Sequence, residues 1–210
     1  MNRKKSKLRL VTALFKLGIV LGVFSIVGIL GVFAYFAKDL PSPSSIKDVR
    51  IYESTKIYDK TGEFLLYDIH GEQKRTIIPF QDIPEYAKAA TIAAEDDNFY
   101  NHYGVDLAGV ARAVIKNLKG KTVLQGGSTI TQQLIKNVYL SPERKFSRKI
   151  KELILSLEME FKYSKDEILD FYLNVVPYGS NAYGIEAASQ TFFNKHAKNL
   201  TLSESALLAA

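Results

Sequence analysis

Cysteine is absent from this 210-residue sequence. Its absence excludes disulfide bonds, cysteine-based metal sites and a thiol nucleophile. Acidic residues are missing from the first 16 positions, whereas six of the 28 lysines and arginines lie there. The other 22 basic residues balance the 22 acidic ones. The formal charge of +6 therefore belongs to the N-terminal tail, and it does not indicate nucleic-acid binding.

Charged residues are also missing between Leu17 and Ala37. At about 1.5 Å per residue, such a helix reaches roughly 30 Å, enough to cross the hydrocarbon core of a bilayer. A cleaved signal peptide is the alternative, but it has a shorter apolar region and ends in small residues, unlike Ala34-Tyr35-Phe36-Ala37. We predict a cytoplasmic basic tail over residues 1–16, a retained transmembrane helix over residues 17–37, and an exported remainder.

The exported part begins with a linker rich in proline and serine, Pro41 to Ser45. Residues 49–58 and 63–70 are rich in β-branched and aromatic residues, and the turn signal Asp59-Lys60-Thr61-Gly62 separates them. This pattern predicts a β-hairpin, and residues 74–80 are predicted to add a third strand.

Residues 81–210 have the pattern of a helical domain, following the linker and hairpin region of residues 38–80. Asp82 is predicted to cap a helix that runs toward Glu95, and Asp106 to cap the next helix, which Gly120 ends. The apolar face of that second helix is predicted at Leu107, Val110, Ala111, Val114 and Leu118.

Four further helix starts are visible in the same region. Ser128 or Thr129 can cap a helix through Tyr139, and Ser141-Pro142-Glu143 begins a long helix. Capping boxes are predicted over residues 164–167 and 201–204. The core stripe of the long helix is predicted at Phe146, Ile150, Leu153, Leu157 and Phe161. The sequence stops one or two turns into a last helix, and we interpret it as cut. The fold class predicted is mainly α, with a small N-terminal β-hairpin element and one transmembrane helix.

The acidic triplet Glu95-Asp96-Asp97 stands where a helix is predicted to end. The helix C-terminus carries partial negative charge, which together with mutual repulsion favours a protonated carboxyl group. Such a group suits acid or base catalysis. A solvated acidic loop gives the same pattern, and the triplet alone does not decide between these interpretations.

A basic region lies between Leu107 and Lys151, where ten basic residues face a single acidic residue. Part of this basic region lies on the long helix. Its residues are spaced three and four apart there, so one side of the helix carries Lys145, Arg148, Lys149 and Glu152. This surface suits a phosphate or pyrophosphate group, although a solvated face or contact with anionic lipid headgroups fits the pattern too.

A glycine motif, Gln125-Gly126-Gly127, precedes a capped helix. Such a motif can bind an anion or a sugar hydroxyl, and it fits a simple loop equally well.

Other common site patterns are missing. The three histidines are scattered and have no paired zinc-ligand spacing, and the sequence has neither a G-x-S-x-G elbow nor a Walker loop.

Five segments in order resemble the glycosyltransferase domain of class A penicillin-binding proteins, the peptidoglycan polymerases (glycosyltransferase family 51). They lie within Glu95 to Asp106, Gly126 to Asn137, Arg148 to Glu152, Tyr172 to Ala188 and Leu200 to Ala209. The resemblance covers about residues 40–210, and the hairpin after the linker favours the bifunctional members, in which a transpeptidase domain follows. It implies a lysozyme-like fold. Asn194 stands where the family often has glycine.

The resemblance implies that lipid II is polymerised into β-1,4-linked glycan strands with release of polyprenyl diphosphate. Glu95 would be the general base that deprotonates the acceptor 4-hydroxyl, which attacks the anomeric carbon with inversion. Glu152 would be the second essential carboxylate, orienting cations or holding a divalent metal, Mg²⁺ or Mn²⁺. Asn174, Tyr178 and Glu186 are weaker candidates, either structural or on the glycan side. The predicted substrate-binding residues are Asp96, Phe99, His102, Arg112, Ser128, Thr129, Gln132, Lys136, Arg148, Lys149, Asn174 and Tyr178.

The implied partners are lipid II, the growing glycan strand, membrane lipid and other cell-wall synthesis proteins, without nucleic acid. The implied location is the bacterial plasma membrane, with the catalytic domain outside the cytoplasm.

Two alternative functions, a lytic enzyme and a membrane-tethered scaffold, are each contradicted by a feature of the sequence. A lytic enzyme of similar fold has no pyrophosphate to stabilise, so the basic region argues against it. A membrane-tethered scaffold has no use for Glu95 and Glu152 in their motifs.

Overall fold

A computed structural model of the protein describes residues 2–38, 40, 54–63, 65–69, 74–112, 127–140 and 146–210. The chain divides into two compact units, residues 1–40 and residues 41–210. The first unit contains one helix, α1 (Asn2–Ala37). Within α1, Phe15–Ala37 is long and apolar enough to cross a membrane, judged by length and composition. This segment agrees with the apolar helix predicted over residues 17–37.

The predicted β-hairpin is confirmed by strands β1 (Thr55–Tyr58) and β2 (Leu65–Ile69), which pair antiparallel. The turn between them is held by the Asp59 carboxylate, which accepts a hydrogen bond from the Thr61 hydroxyl at 2.7 Å. Gly62 follows with φ of 76°, a left-handed conformation that glycine adopts without steric cost. The turn signal therefore corresponds to the observed turn.

The predicted third strand over residues 74–80 is wrong in length and in partner. Strand β3 contains only Lys74–Arg75, and it pairs in parallel with β4 (Ala182–Tyr183) instead of extending the hairpin. Beyond β3 the side-chain amide of Asn174 takes the place of a strand partner. It accepts from the Ile78 N–H and donates to the Ile78 carbonyl, each at 3.1 Å.

The rest of the second unit is mainly helical, which confirms the predicted fold class. The helices in its described residues are α2 (Glu85–Glu95), α3 (described over residues 107–112), α4 (Ile130–Tyr139), α5 (Phe146–Lys162), α6 (Lys165–Val175), α7 (Ile185–Phe193) and α8 (Leu202–Ala209). Single 3₁₀ turns lie at Phe80–Asp82, Phe99–Asn101 and Ala197–Asn199. Helix α2 packs against α8, and α4 packs against α5 and α6.

Helix starts follow the predicted capping pattern in most cases. The capping boxes predicted over Ser164–Glu167 and Thr201–Glu204 are present. Of the two candidates at α4, Thr129 and not Ser128 is the N-cap, and Gln132 completes a third capping box. Helix α7 ends at Phe193. Its C-cap residue, Asn194, has a φ of 52°, which lies in the left-handed region where glycine is the usual C-terminal residue.

The predicted cap of α2 is wrong. Asp82 lies at the end of the 3₁₀ turn Phe80–Asp82, and Pro84 is the N-cap of α2 without a side-chain hydrogen bond. Proline has a fixed φ and no N–H, so the helix begins directly after it without a capping carboxylate. The start predicted at residues 141–143 and the end predicted at Gly120 lie outside the described residues.

The buried face of α5 is offset from the predicted stripe. The buried side chains of the helix are those of Glu152, Leu155, Ser156 and Met159. The predicted positions are half-buried at Ile150, Leu153 and Leu157. Phe161 is 92% exposed, and the Phe146 side chain lies outside the described part. Two polar residues on the buried face explain the offset, because an apolar period assigns such residues to the surface.

The predicted apolar face of α3 is also exposed over the part of the helix that is described. Leu107 is 77% exposed, and Val110 and Ala111 are exposed as well. An apolar period gives the phase of a helix, but it does not show that another element covers that face. Val114 and Leu118 lie outside the described residues.

Candidate active site

A cleft of about 490 Å³ opens where α2 ends and α4 begins. One wall is the last turn of α2 with its acidic triplet, and the other is the segment that leads into α4. Several of the predicted site residues line this cleft: Glu95, Asp96, Arg112, Ser128, Thr129 and Lys136.

The three acids at the end of α2 point to three different partners. Glu95 is exposed, and its Oε2 accepts a hydrogen bond from Gln133 Nε2 at 2.5 Å. Asp96 is buried, whereas the Asp97 carboxylate lies 3.6 Å from Arg112 Nη1. The mutual repulsion assumed from the sequence is therefore not what defines this site. All three acids line the cleft, but Asp96 contacts a histidine and Asp97 an arginine, whereas the partner of Glu95 is the neutral amide of Gln133.

Asp96, the residue after Glu95, forms a buried pair with His102. Both Asp96 oxygens contact His102 Nε2, at 3.0 and 2.9 Å, and Oδ2 also accepts from the Ile130 N–H at 3.0 Å. The fully buried Phe99 ring meets the His102 ring edge to face. A carboxylate at a helix N-terminus is favourable, so Asp96 ties the end of α2 to the start of α4. Of these residues Asp96 lines the cleft, and its orientation is fixed by His102 and the Ile130 N–H.

The basic side of the site is organised by Glu152, whose side chain is buried on α5. Lys149 Nζ donates to Glu152 Oε1 and also to Ser128 Oγ, the latter at 3.0 Å. Arg148 Nη1 lies 3.8 Å from Glu152 Oε2. Spacings of three and four place both cations on the face of α5 that carries Glu152. The hydrogen bond from Lys149 to Ser128 connects Glu152 and its two cations to a residue that lines the cleft.

Two further predicted cations line the cleft itself. Arg112 is held between Asp97 and Asp106, at 3.6 and 4.0 Å. Lys136 is exposed on α4 and makes no ion pair with any acid in the described ranges of the chain. Other members of the predicted basic region lie outside the described residues: Lys116, Lys119, Lys121, Arg144 and Lys145.

A second cleft, of about 640 Å³, shares Glu95, Gln133 and Lys136 with the first. Its lining adds aromatic and apolar groups, among them Tyr172 and Tyr178. Burial raises the pKa of Tyr178, and the neighbouring Tyr172 and Glu95 raise it further, so its hydroxyl stays protonated. Glu95 therefore stands between a polar cleft and a more apolar one.

Neither cleft is lined by Phe99, His102, Arg148, Lys149, Glu152, Gln132 or Asn174. The last two make structural contacts instead. Gln132 is buried, and its Oε1 accepts from the Thr129 N–H at 3.1 Å in the capping box. Asn174 is buried and holds Ile78 through both halves of its amide. The weaker candidate Glu186 is buried as well, and it accepts from the backbone N–H of residue 197.

Sequence reasoning missed two residues that contact the site. Gln133 touches Glu95, and Tyr172 Oη donates to Gln133 Oε1 at 3.1 Å. The sequence offers two adjacent glutamines, and only the phase of α4 decides which one faces Glu95. With Thr129 as the N-cap, the third helical residue Gln132 is used in the capping box. Its neighbour then points to the cleft.

The predicted metal at Glu152 is not supported by the groups around that carboxylate. Both of its oxygens face cationic side chains, Lys149 and Arg148. Within the described part of the chain, no three histidine or carboxylate groups are gathered in a way that could hold a metal ion. This set of neighbours does not fit Mg²⁺ or Mn²⁺, which prefer several oxygen ligands.

Comparison with known proteins gives consistent matches. A family model described as Transglycosylase matches residues 62–210. The chain is similar to penicillin-binding protein 1A of Pseudomonas aeruginosa, with 45% identity over 177 residues, covering 84% of this chain and 21% of that protein. It is also similar to penicillin-binding protein 1A of Aquifex aeolicus, with 43% identity covering 92% of this chain and 26% of that protein. Penicillin-binding protein 4 of Bacillus subtilis is 42% identical, with coverages of 79% and 26%. The chain spans 21% to 26% of the length of these relatives.

Proposed function

This chain belongs to the transglycosylase family and contains the glycosyltransferase domain of a class A penicillin-binding protein, and on that premise we propose that it polymerises lipid II into β-1,4-linked glycan strands. The resemblance drawn from the five ordered segments is thereby confirmed, and the domain is a peptidoglycan glycosyltransferase domain of lysozyme-like type. One observation carries the proposal: an exposed glutamate faces a cleft whose other side carries cations.

Glu95 is the general base of the proposed reaction. It lies at the junction of two clefts, where an acceptor sugar on one side can present its 4-hydroxyl to a donor on the other. Removal of the hydroxyl proton by Glu95 accompanies attack on the anomeric carbon, and attack from the face opposite the leaving group inverts that carbon. A positioned general base of this kind contributes about 10²- to 10⁴-fold to a rate.

The leaving diphosphate gains negative charge as the glycosidic bond to it breaks, and fixed cations stabilise such charge. Arg112 and Lys136 line the cleft and are suited to this role. Lys149 reaches the same edge through Ser128, where Glu152 holds it in place. Glu152 accordingly acts on the cations and not on the sugar.

The membrane-related parts of the proposal rest on α1. The apolar segment Phe15–Ala37 would anchor the protein, with the basic tail in the cytoplasm and the catalytic domain outside it. Lipid II is itself a membrane lipid, so an anchor keeps enzyme and substrate at one surface. The similarity to penicillin-binding proteins 1A supports a bifunctional transglycosylase and transpeptidase as the whole protein.

The test compares the full chain with its Glu95→Gln variant in detergent with lipid II, followed by gel separation of the glycan products. The unchanged chain should give long strands, whereas the variant should lose at least about a hundredfold in rate. Glu85→Gln at the other end of α2, an exposed acid paired with Lys88, is the matched control and should retain activity. Near-normal turnover by Glu95→Gln would rule out this base. Shortening of preformed strands without polymerisation would indicate a lytic enzyme.

A further inference from the structure

Glu95 is the end of a three-residue hydrogen-bonded chain. Tyr172 Oη, on α6, donates to Gln133 Oε1 at 3.1 Å. Gln133 Nε2, on α4, then donates to Glu95 Oε2 at 2.5 Å. The other oxygen of Glu95, Oε1, has no hydrogen-bond partner within the described ranges of the chain. The two carboxylate oxygens of the base therefore differ in their surroundings.

The direction of this chain follows from the chemistry of its groups. An amide has a donor end and an acceptor end, and only the donor end interacts favourably with a carboxylate. A hydroxyl that donates to Oε1 of Gln133 fixes which end of the amide faces Glu95. Burial raises the pKa of the Tyr172 hydroxyl, and the nearby carboxylates of Glu95 and Asp96 raise it further. Tyr172 therefore keeps its proton and remains a donor.

We propose that Tyr172 and Gln133 are positioning residues for the general base, holding Glu95 Oε2 so that Oε1 takes the proton of the acceptor hydroxyl. This inference rests on the proposed function. In the step, the acceptor oxygen forms its bond to the anomeric carbon while the anomeric bond to the diphosphate oxygen breaks. The hydroxyl proton goes to Oε1, and the electron pair of the broken bond leaves with the diphosphate.

The position of Gln133 in both clefts supports this role. It lines the polar cleft and the more apolar cleft together with Glu95. A rotation of Glu95 toward either side would break the contact of Oε2 with the amide. Charge-assisted hydrogen bonds are roughly twice as strong as neutral ones, so the contact can hold an otherwise exposed side chain in one orientation.

The test measures kcat and KM for lipid II with Tyr172→Phe in the full chain. Removing the hydroxyl leaves the ring in place, so we expect kcat to fall about five- to tenfold with KM changed less than about twofold. Tyr100→Phe is the matched control, because Tyr100 Oη donates to Asp166 at 2.9 Å on the surface. That variant should keep the unchanged kcat.

Gln133→Met supplies the second variant, since it has a similar length and no hydrogen-bonding end. We expect kcat to fall about 10- to 100-fold, and addition of Tyr172→Phe to lower it no further, because the tyrosine acts through the glutamine. Effects that multiply in the double variant, or a Tyr172→Phe variant with unchanged kcat, overturn the inference. These outcomes require that the unchanged chain makes glycan; absence of any product would instead overturn the proposed function.

Discussion

Replacing Glu152 by glutamine removes the charge that holds two cations beside the cleft, while the size of the side chain stays the same. The Glu152 side chain is 3% exposed, and its partners are exposed to different extents, Arg148 by 23% and Lys149 by 42%. Arg148 also has a buried Nε without a hydrogen-bond partner in the described structure. Once the Glu152 charge is removed, the unpaired charge of Arg148 therefore destabilises the fold more than that of Lys149.

The magnitude follows from these exposures. Removing one partner of a fully buried ion pair costs about 3–5 kcal/mol, because the other charge stays buried and uncompensated. Lys149 is exposed enough to regain water, and Arg148 is partly so, which lowers the cost to about 2 kcal/mol. For a domain of this size, that loss corresponds to a melting temperature lower by roughly 4–8 °C.

Thermal unfolding followed by circular dichroism measures this loss. The matched control is Glu158→Gln on the same helix, whose carboxylate pairs with Lys162 at 2.7 Å and is 37% exposed, against 3% for Glu152. Exposed pairs contribute about 0–1 kcal/mol, so the control should melt within about 4 °C of the unchanged protein. Equal melting temperatures for Glu152→Gln and Glu158→Gln would refute the claim that Glu152 organises the two cations.

Three other predictions concern metal, pH and packing. Because cations face Glu152, polymerisation should survive EDTA; loss on chelation that Mg²⁺ restores would contradict this reasoning. Burial raises the pKa of Glu186, but hydrogen bonds led by the Ala197 N–H outweigh it and hold the pKa below its ordinary value. Its charge therefore stabilises the fold above about pH 4.3 and less as pH falls further, so in urea unfolding at several pH values Glu186→Gln should reduce the acid dependence. Leu155→Ala should lower the free energy of unfolding by about 2–5 kcal/mol and Phe161→Ala by about 0.5 kcal/mol or less; the reverse order would contradict the observed face of α5.

Local signals were predicted from the sequence because their causes lie within a few residues. The capping boxes at Ser164 and Thr201 depend on a hydroxyl and a carboxylate three residues apart. The end of α2 at Glu95 and the hairpin turn at Asp59 are equally local. Each of these predictions was correct without knowledge of what packs against the element.

The face of α5 was not predictable in the same way. Ser156 is buried, its hydroxyl donates to the Glu152 carbonyl, and the chain passes so close at Gly104 that an added Cβ would lie 2.9 Å from the Ser156 carbonyl oxygen. Gly104 also has φ of 76°, which other residues rarely adopt. A small residue on each side permits this approach. The contact joins segments about 50 residues apart, and an apolar period contains no information about it.

The pairing of β3 with β4 was missed for a related reason. Two strands of two residues each, more than 100 positions apart, have too few residues for an alternating pattern. The side chain that completes this region, Asn174, lies on a helix and was assigned to the substrate site because of its motif. A buried amide that satisfies both backbone groups of Ile78 explains the same residue by structure alone.

The two adjacent glutamines of α4 have different roles in this site. Gln132 and Gln133 are chemically identical, yet one completes a buried cap and the other contacts the base. Helix phase separates them, and the phase is fixed by Thr129, which also donates to the Gly104 carbonyl at 2.6 Å. The cap thus sets which amide reaches Glu95. The buried cap formed by Thr129 and Gln132 therefore determines the geometry of the exposed site. Substitution of Gln132, which lines neither cleft, should alter catalysis without removing a contact to the substrate.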